Sequence, residues 1–509
     1  MLLFLPVAIL VLTLLALIAS NLQRGFHSNW LLALGGASLA WLSLFYLRLQ
    51  FPLTFTFPFF WASEGLEYSV TFVLDEVSWS LAFVIGGLLL AALLEEVRQA
   101  MSATWLSWGL ALLAAAGSML AFSSGDALTF ILTWTLLDVV VYLFLFASLH
   151  GEEERRATLQ MIPVNLLATF LLLAAWTLSF YGQQLNQILL ILAAALRVGL
   201  LTPRLVFRPP SNLRNDLAGM LLLAPLGAVL PLLVRATVLV EPSASILLVL
   251  VFLPTAYSAS TWLLGPMDGS RRYWELGSAG LVAAAAISGQ GQAALAFGLL
   301  ILMGRGLLPL VQQGGRFRLL LAALGVLLLS GLQFTASNWT AALYTNSTTP
   351  LVLAFLFIQS AMVAGWLRRA LDEKAVPLPP EPWMRTTQRL GQFVIPAIYV
   401  VFGLGLLPSL SPLPSQPPLW PALAVTGGAG LLFLLQRGAR LRFNPRISSA
   451  LQSVSSLTWL AWTVEQMGVF LSTAMSFLSN LLEGKAGVLW AMLVMALLLS
   501  LVGQFGVGG

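Results

Sequence analysis

The 509-residue chain contains no cysteine. That excludes disulfides, thiolate nucleophiles, iron–sulfur clusters and cysteine-ligated metals. Histidine is nearly as scarce. The two present, His27 and His150, both fall at predicted helix ends, which argues against a haem or histidine-bound metal centre. Charge is thin as well: only 9% of residues are charged, where a soluble domain carries roughly 25%. Lysine occurs twice, as Lys374 and Lys485, so the net charge of +5 is almost wholly arginine. No phosphate-binding glycine loop, catalytic triad or metal motif is present, and Gly289–Gln292 fails the dinucleotide pattern.

What fills the chain is apolar. Hydrophobic residues make up 59% of it, more than one globular core can hide, so much of that surface must face lipid. A helix needs roughly 20 apolar residues to cross the hydrocarbon layer. Apolar runs occur near 2–19, 30–49, 78–97, 103–122, 127–149, 161–181, 187–203, 216–234, 244–264, 273–291, 293–312, 318–337, 349–367, 391–409, 419–436 and 487–505. The expected fold is an all-α integral membrane protein of about sixteen transmembrane helices, because a backbone in lipid must satisfy its own hydrogen bonds. The run Met1–Ala19 has no basic stretch before it and reads as the first span.

Arginine is distributed unevenly among the loops. Alternate loops hold Arg24; Arg98; Arg155 and Arg156; Arg204, Arg208 and Arg214; Arg271 and Arg272; Arg316 and Arg318; Arg368 and Arg369; and Arg437, Arg440, Arg442 and Arg446. The intervening loops hold almost none, with Arg48, Arg235 and Lys485 as exceptions. By the positive-inside rule the basic loops are cytoplasmic and the N-terminus lies on the non-cytoplasmic side. This is a topology signal, not a nucleic-acid patch. A multi-pass prokaryotic cell membrane or a thylakoid membrane is the expected location, and lipids are expected partners.

Segment 450–482 differs from the other runs. Val454, Leu457, Ala461, Val464, Gly468, Leu471, Met475, Leu478 and Leu482 recur at three- and four-residue steps between polar residues. That spacing describes an amphipathic helix, lying along the membrane or standing as a partly polar seventeenth span; its broad polar face favours the surface.

Several stretches resemble the antiporter-like subunits of respiratory complex I, whose relatives occur in Mrp-type cation/proton antiporters and membrane-bound hydrogenases. Tyr68–Ser78 resembles the family's entry to its third span, where Asp75 can cap the helix with Ser78 three residues on. Gly125–Phe144 resembles the fifth span at Asp126, Phe130, Trp134 and Tyr142. Arg197–Arg235 is similar to the broken seventh and the eighth spans. Asp268–Leu310 is similar to a basic loop and the two spans after it. Gly331–Leu343 resembles the broken twelfth span. The C-terminal order of amphipathic helix, Glu483-Gly484-Lys485 and last span resembles the long member, with a lateral helix along its neighbours. The resemblance implies N-terminal spans over 1–122 and antiporter-like helical repeats over 123–235 and 236–390. Peripheral spans over 391–447 and an amphipathic helix with a final span over 448–509 follow.

The family's proton path, a glutamate in the fifth span and lysines in the seventh, eighth and twelfth, is replaced. Thr135 stands at the glutamate position, with Asp138 the nearest acid. Arg197 falls at the seventh-span lysine, an apolar residue near Leu221 at the eighth-span histidine, Arg305 at the next lysine and Ala341 near the last. Lysine relays protons when desolvation lowers its pKa, whereas arginine effectively never deprotonates. Asp138, Arg197 and Arg305 are therefore the proton-path candidates, because an ionisable residue in a span is costly to keep there. The plainer reading is that they pair and lock helix packing. Glu95 and Glu96 are candidates at the cytoplasmic end of the third span, where a helix-end cluster with Arg98 is the simpler reading. Asp126 reads as a helix cap, Glu275 and Arg272 as a surface pair, Glu465 as solvated, and Glu152–Arg156 as a solvated loop. Gly304 and Gly306 flank Arg305, and Pro225 and Pro231 lie in the eighth span, where breaks can border a polar pathway.

The resemblance implies a membrane-arm subunit of a complex I-like assembly, of the NAD(P)H- or ferredoxin:quinone oxidoreductase or hydrogenase type. The chain would be a non-redox subunit with no cofactor and no soluble redox cofactor as partner. It would sit among other membrane subunits as a scaffold or a modified proton path. The alternative is a secondary cation/proton antiporter or inorganic-carbon transport module.

Overall fold

A computed structural model describes residues 2–22, 29–58, 69–99, 105–148, 152–178, 183–200, 226–236, 243–265, 271–312, 318–332, 335, 337–345, 350–372, 381–402 and 418–438, with Gln466, Val469 and Thr473 beyond them. The chain divides into two units, Met1–Leu457 and Thr458–Gly509. The segment 450–482 and the run 487–505 lie outside the described residues, apart from those last three.

The first unit is built from helices. They are α1 (Leu5–Leu22), α2 (Asn29–Arg48), α3 (Glu76–Glu95), α4 (Trp105–Phe122), α5 (Ala127–Ser148), α6 (Glu152–Leu178) and α7 (Gln183–Arg197). There follow α8 (226–234), α9 (Ser243–Leu264), α10 (Arg271–Ile287), α11 (Gly291–Gln312), α12 (Arg318–Leu329), α13 (Ala342–Thr345), α14 (Pro350–Asp372), α15 (Pro382–Val401) and α16 (Trp420–Gly438). Six described helices are long and apolar enough to cross a membrane: Leu2–Asn21, Asn29–Arg48, Glu76–Glu95, Trp105–Phe122, Ser243–Leu264 and Pro350–Asp372. The protein is thus helical and membrane-embedded.

Burial sorts the helices. α3 is buried nearly all round, from Val77 to Leu93. Outer helices keep an apolar face turned outward: Val11, Leu12, Leu15 and Ile18 on α1, and Leu132, Leu136, Val139 and Leu143 on α5. A helix apolar on every side belongs in a core or in lipid, and here α3 takes the first place. α15 packs on α3 and α11, and α14 on α9, α12 and α16. Small residues permit the close crossings, since a Cβ on Gly391 would meet the Ala91 carbonyl and one on Gly87 the Ile398 side chain.

Helices end at two places where the resemblance implies broken spans. α7 ends at Arg197, and Gly199 follows in the left-handed region at φ 79°. The Leu200 N–H donates to the Ala195 carbonyl and the Gly199 N–H to the Leu196 carbonyl, both at 2.9 Å, which closes a Schellman cap. α12 stops at Leu329, Gly331 takes φ 88°, and the chain re-enters helical form at Asn338–Ala341 and α13. Helical geometry thus ends well before residue 337, the expected limit of that span.

Other differences are local. The polar stretch 50–76 holds a two-stranded antiparallel hairpin, β1 (Leu53–Pro58) with β2 (Ser69–Leu74), in register Leu53 opposite Leu74 through Pro58 opposite Ser69. Its Phe55 and Phe72 rings meet Phe4 edge-on at 5.3 and 5.1 Å. Thr and Phe alternate through β1, a period of two that the polar average of the stretch hides. Glu152–Arg156 opens α6 and is helical, not a loop. Arg369, expected in a loop, lies fully buried on α14, its guanidinium 3.5 Å from the Trp262 ring centroid. Glu275 is buried inside α10, not a surface group.

Candidate functional site

The site begins with one helix face. Trp134 and Asp138 lie one turn apart on α5, and so do Asp138 and Tyr142. Thr135 borders this face and is exposed, its hydroxyl donating to the Ile131 carbonyl at 2.7 Å. Asp138, three residues beyond the glutamate position, is the acid of α5 that meets α7.

Arg197 closes the other side. As the last residue of α7 it sits at the negative end of a helix dipole, which favours a cation. Its Nη1 donates to Asp138 Oδ2 at 2.9 Å and its Nη2 to Oδ1 at 2.6 Å, a two-point clamp. Nη2 also donates to the Trp134 carbonyl at 3.2 Å. The guanidinium carbon stands 4.5 Å from the centroid of the Trp134 ring. Trp134 is held in turn by donating its Nε1 to the Ala228 carbonyl of α8 at 3.3 Å. On the far side, Asn165 of α6 donates through Nδ2 to Asp138 Oδ1 at 3.3 Å and to the Tyr142 hydroxyl oxygen at 2.9 Å. The Arg197 side chain is 1% exposed and that of Asp138 15%.

Four helices thus converge on one ion pair. Chemically the arrangement can hold a fixed charge pair: the carboxylate accepts three hydrogen bonds, and the guanidinium has no neutral form at working pH. Of the sequence candidates, Asp138 and Arg197 are brought together. Arg305 lies in α11 between Gly304 and Gly306, and its side chain is outside the described residues. The Gly304 carbonyl there accepts from Trp366 Nε1 at 3.3 Å. Glu95 ends α3 and Glu96 caps it, donating its backbone N–H to the Ala92 carbonyl; Glu96 is buried.

A second ionic cluster was not singled out by the sequence reading. Arg235, just after α8, places Nη2 3.0 Å from both carboxylate oxygens of Asp75 and 2.7 Å from the Ser78 hydroxyl. Its Nη1 donates to the Ser124 carbonyl at 2.6 Å. Asp75 meanwhile caps α3, as expected, by accepting from the Ser78 N–H at 2.9 Å. Asp126 caps α5 through the Thr129 N–H at 2.7 Å and also accepts from the Thr71 N–H of β2 at 2.9 Å. Arg235 was an exception to the alternation of loop charge, and that misplaced cation was the available signal. Asn165, a polar residue inside an apolar run, was the signal for the first cluster.

A third group of donors caps α9. Arg368 donates to the Leu263 and Gly265 carbonyls at 2.7 and 3.0 Å, Gln436 of α16 to Leu263 at 3.0 Å, and buried Arg369 to the Trp262 carbonyl. Cations at a helix C-terminus complement its dipole.

No protein-family model and no curated protein matches the chain. Solved structures do. A chain of the Mrp complex from Dietzia sp. DQ12-45-1b superposes with a TM-score of 0.69 at 15% identity, over 99% of this chain and 63% of that one. The protein therefore spans 63% of the length of that chain. A chain of the membrane-bound sulfane sulfur reductase, an archaeal respiratory membrane complex, superposes with a TM-score of 0.63 at 15% identity, over 98% of this chain and 100% of that one. At such identity the likeness is one of fold. Both are chains of membrane complexes, and the antiporter-like fold implied by the sequence resemblance is the fold observed.

Proposed function

We propose, from the fold shared with chains of the Mrp and archaeal respiratory complexes, that this protein is an antiporter-like membrane-arm subunit of a complex I-like assembly. Its antiporter-like repeats would run over 123–235 and 236–390, and its basic loops would face the cytoplasm. In this reading it is a scaffold and not a working proton relay. The observation that carries the reading is the Asp138–Arg197 clamp. A relay site must shed and regain a proton, and a guanidinium bound at two points to a carboxylate does neither. The same pair joins α5 to α7, with Trp134 and Asn165 adding α8 and α6. It thus fixes the packing of this four-helix group.

Purification in mild detergent tests the assignment. The chain should leave the membrane with other membrane subunits bound and should lose stability when they are stripped. A chain that is stable and always monomeric would remove the assembly reading. A modified proton path, or a secondary cation/proton antiporter or inorganic-carbon module, then needs Asp138 as its titrating group, and transport by the isolated chain in vesicles would have to vanish in Asp138→Asn.

A further inference from the structure

α15 carries a polar column that neither ionic cluster explains. Gln388, Gln392, Ile395 and Tyr399 recur at steps of four, three and four, so they form one stripe of the helix. All are buried, with Gln388 at 7% exposure, Gln392 at 3% and Tyr399 at 0%. Gly391 and Ile398 lie against α3: a Cβ on Gly391 would meet Ala91 and Glu95, and Ile398 touches Gly87. Gln392 and Tyr399 each follow one of these contact residues by a single position. They are therefore turned about 100° round the axis from it, and α11 is the other long helix packed on α15.

On that flank three polar atoms have no hydrogen-bond partner among the described residues. Gln388 Oε1, Gln392 Nε2 and the Tyr399 hydroxyl oxygen are all buried without a hydrogen bond. Pro396 has no N–H to offer the Gln392 carbonyl, four residues before it. One such group costs roughly 1–3 kcal/mol when truly dry. Buried polar groups are satisfied as a rule, by protein or by water. Three unpartnered side chains and a released carbonyl, stacked along about 16 Å of helix at 1.5 Å per residue, supply the two to four partners that each buried water needs.

We propose that a file of water enters where α15 meets α3 and α11, at the end of α3 that carries Glu95 and Glu96, and reaches inward to Tyr399. The stripe that α15 contributes is neutral at Gln388 and Gln392, and it is separate from the Asp138–Arg197 cluster. The inference does not rest on the proposed function, and its failure would leave that reading intact.

The full chain in lipid nanodiscs provides the test. Radiolysis of water generates hydroxyl radicals that mark side chains in contact with water, and mass spectrometry reads the marks. Tyr344 is the internal control, because it is also buried, at 3% exposure against 0% for Tyr399, but donates to Gln359 Oε1 at 2.7 Å. Tyr399 should be oxidised several times faster than Tyr344; equal and negligible oxidation of the two overturns the proposal. The absence of native cysteine permits a second measurement. A small, charged methanethiosulfonate should modify Gln392→Cys about tenfold or more faster than Ala115→Cys or Ala364→Cys, because burial away from water suppresses the thiolate. Modification at the rate of those controls overturns the proposal. If Gln392→Cys does not fold, the comparison of the two tyrosines decides.

Discussion

Removing either partner of the Asp138–Arg197 pair should destabilise the protein, and the two removals should not cost the same. The pair is nearly free of solvent screening, since Arg197 is 1% and Asp138 15% exposed. Breaking such a pair costs roughly 3–5 kcal/mol, because the remaining charge is left unpaired in a poor solvent. In Arg197→Met the stranded group is a carboxyl, which escapes by taking up a proton. It also keeps Asn165, and that variant should lie near the lower figure. In Asp138→Leu the stranded group is a guanidinium, which has no neutral form to adopt. It retains only the Trp134 carbonyl and ring, so this variant should lie at the upper figure. The double variant Asp138→Leu/Arg197→Met strands no charge and should fall between wild type and a gain of about 1–4 kcal/mol. Equilibrium unfolding in mixed micelles, followed by tryptophan emission, measures all four corners of the cycle. A pair of single variants within about 0.5 kcal/mol of wild type would refute the reasoning, because that is the ordinary scatter of surface changes. So would a double variant that loses the sum of the two.

Three further outcomes follow from the packing. Arg235→Gln should loosen the hairpin, since Arg235 holds Asp75 and the Ser124 carbonyl; with both ionic side chains partly exposed the loss is about 1–2 kcal/mol, and faster amide exchange at Val73 and Gly125 reports it. Gly391→Leu should force α15 off α3, costing about 1–3 kcal/mol of overpacking, read as a lower unfolding midpoint; an unchanged midpoint would show that the crossing is looser than described. Arg369→Met removes the donor to the Trp262 carbonyl, so it should free the end of α9 and cost about 3 kcal/mol or more, as for other buried charges taken from their acceptors, with protease nicking after Leu264 as the readout.

Fold class was legible because it rests on hydrophobic runs, and the lipid environment leaves the backbone few options. The hairpin was not, because the average polarity of 50–76 hides the Thr–Phe alternation of β1. Charge position was only half legible. Loop arginines alternate along the sequence, but that alternation cannot tell an arginine in water from one folded back into the bundle. Arg369 and Arg235 are of the second kind. Asp138 was found because an acid in a span is expensive. Its partnership with Arg197, 59 residues away, is a property of how α5 and α7 pack, which no local pattern encodes. The polar stripe of α15 was hidden by two glutamines and a tyrosine lying near its apolar run, unremarkable one by one.

The most direct test of the account is proton translocation per turnover in the proposed assembly, with this chain carrying Asp138→Leu/Arg197→Met. If the pair is a permanent tie, the assembly should form and the proton ratio should equal that of wild type. An intact assembly that moves fewer protons per turnover would mean that the pair takes part in conduction, and would contradict the account.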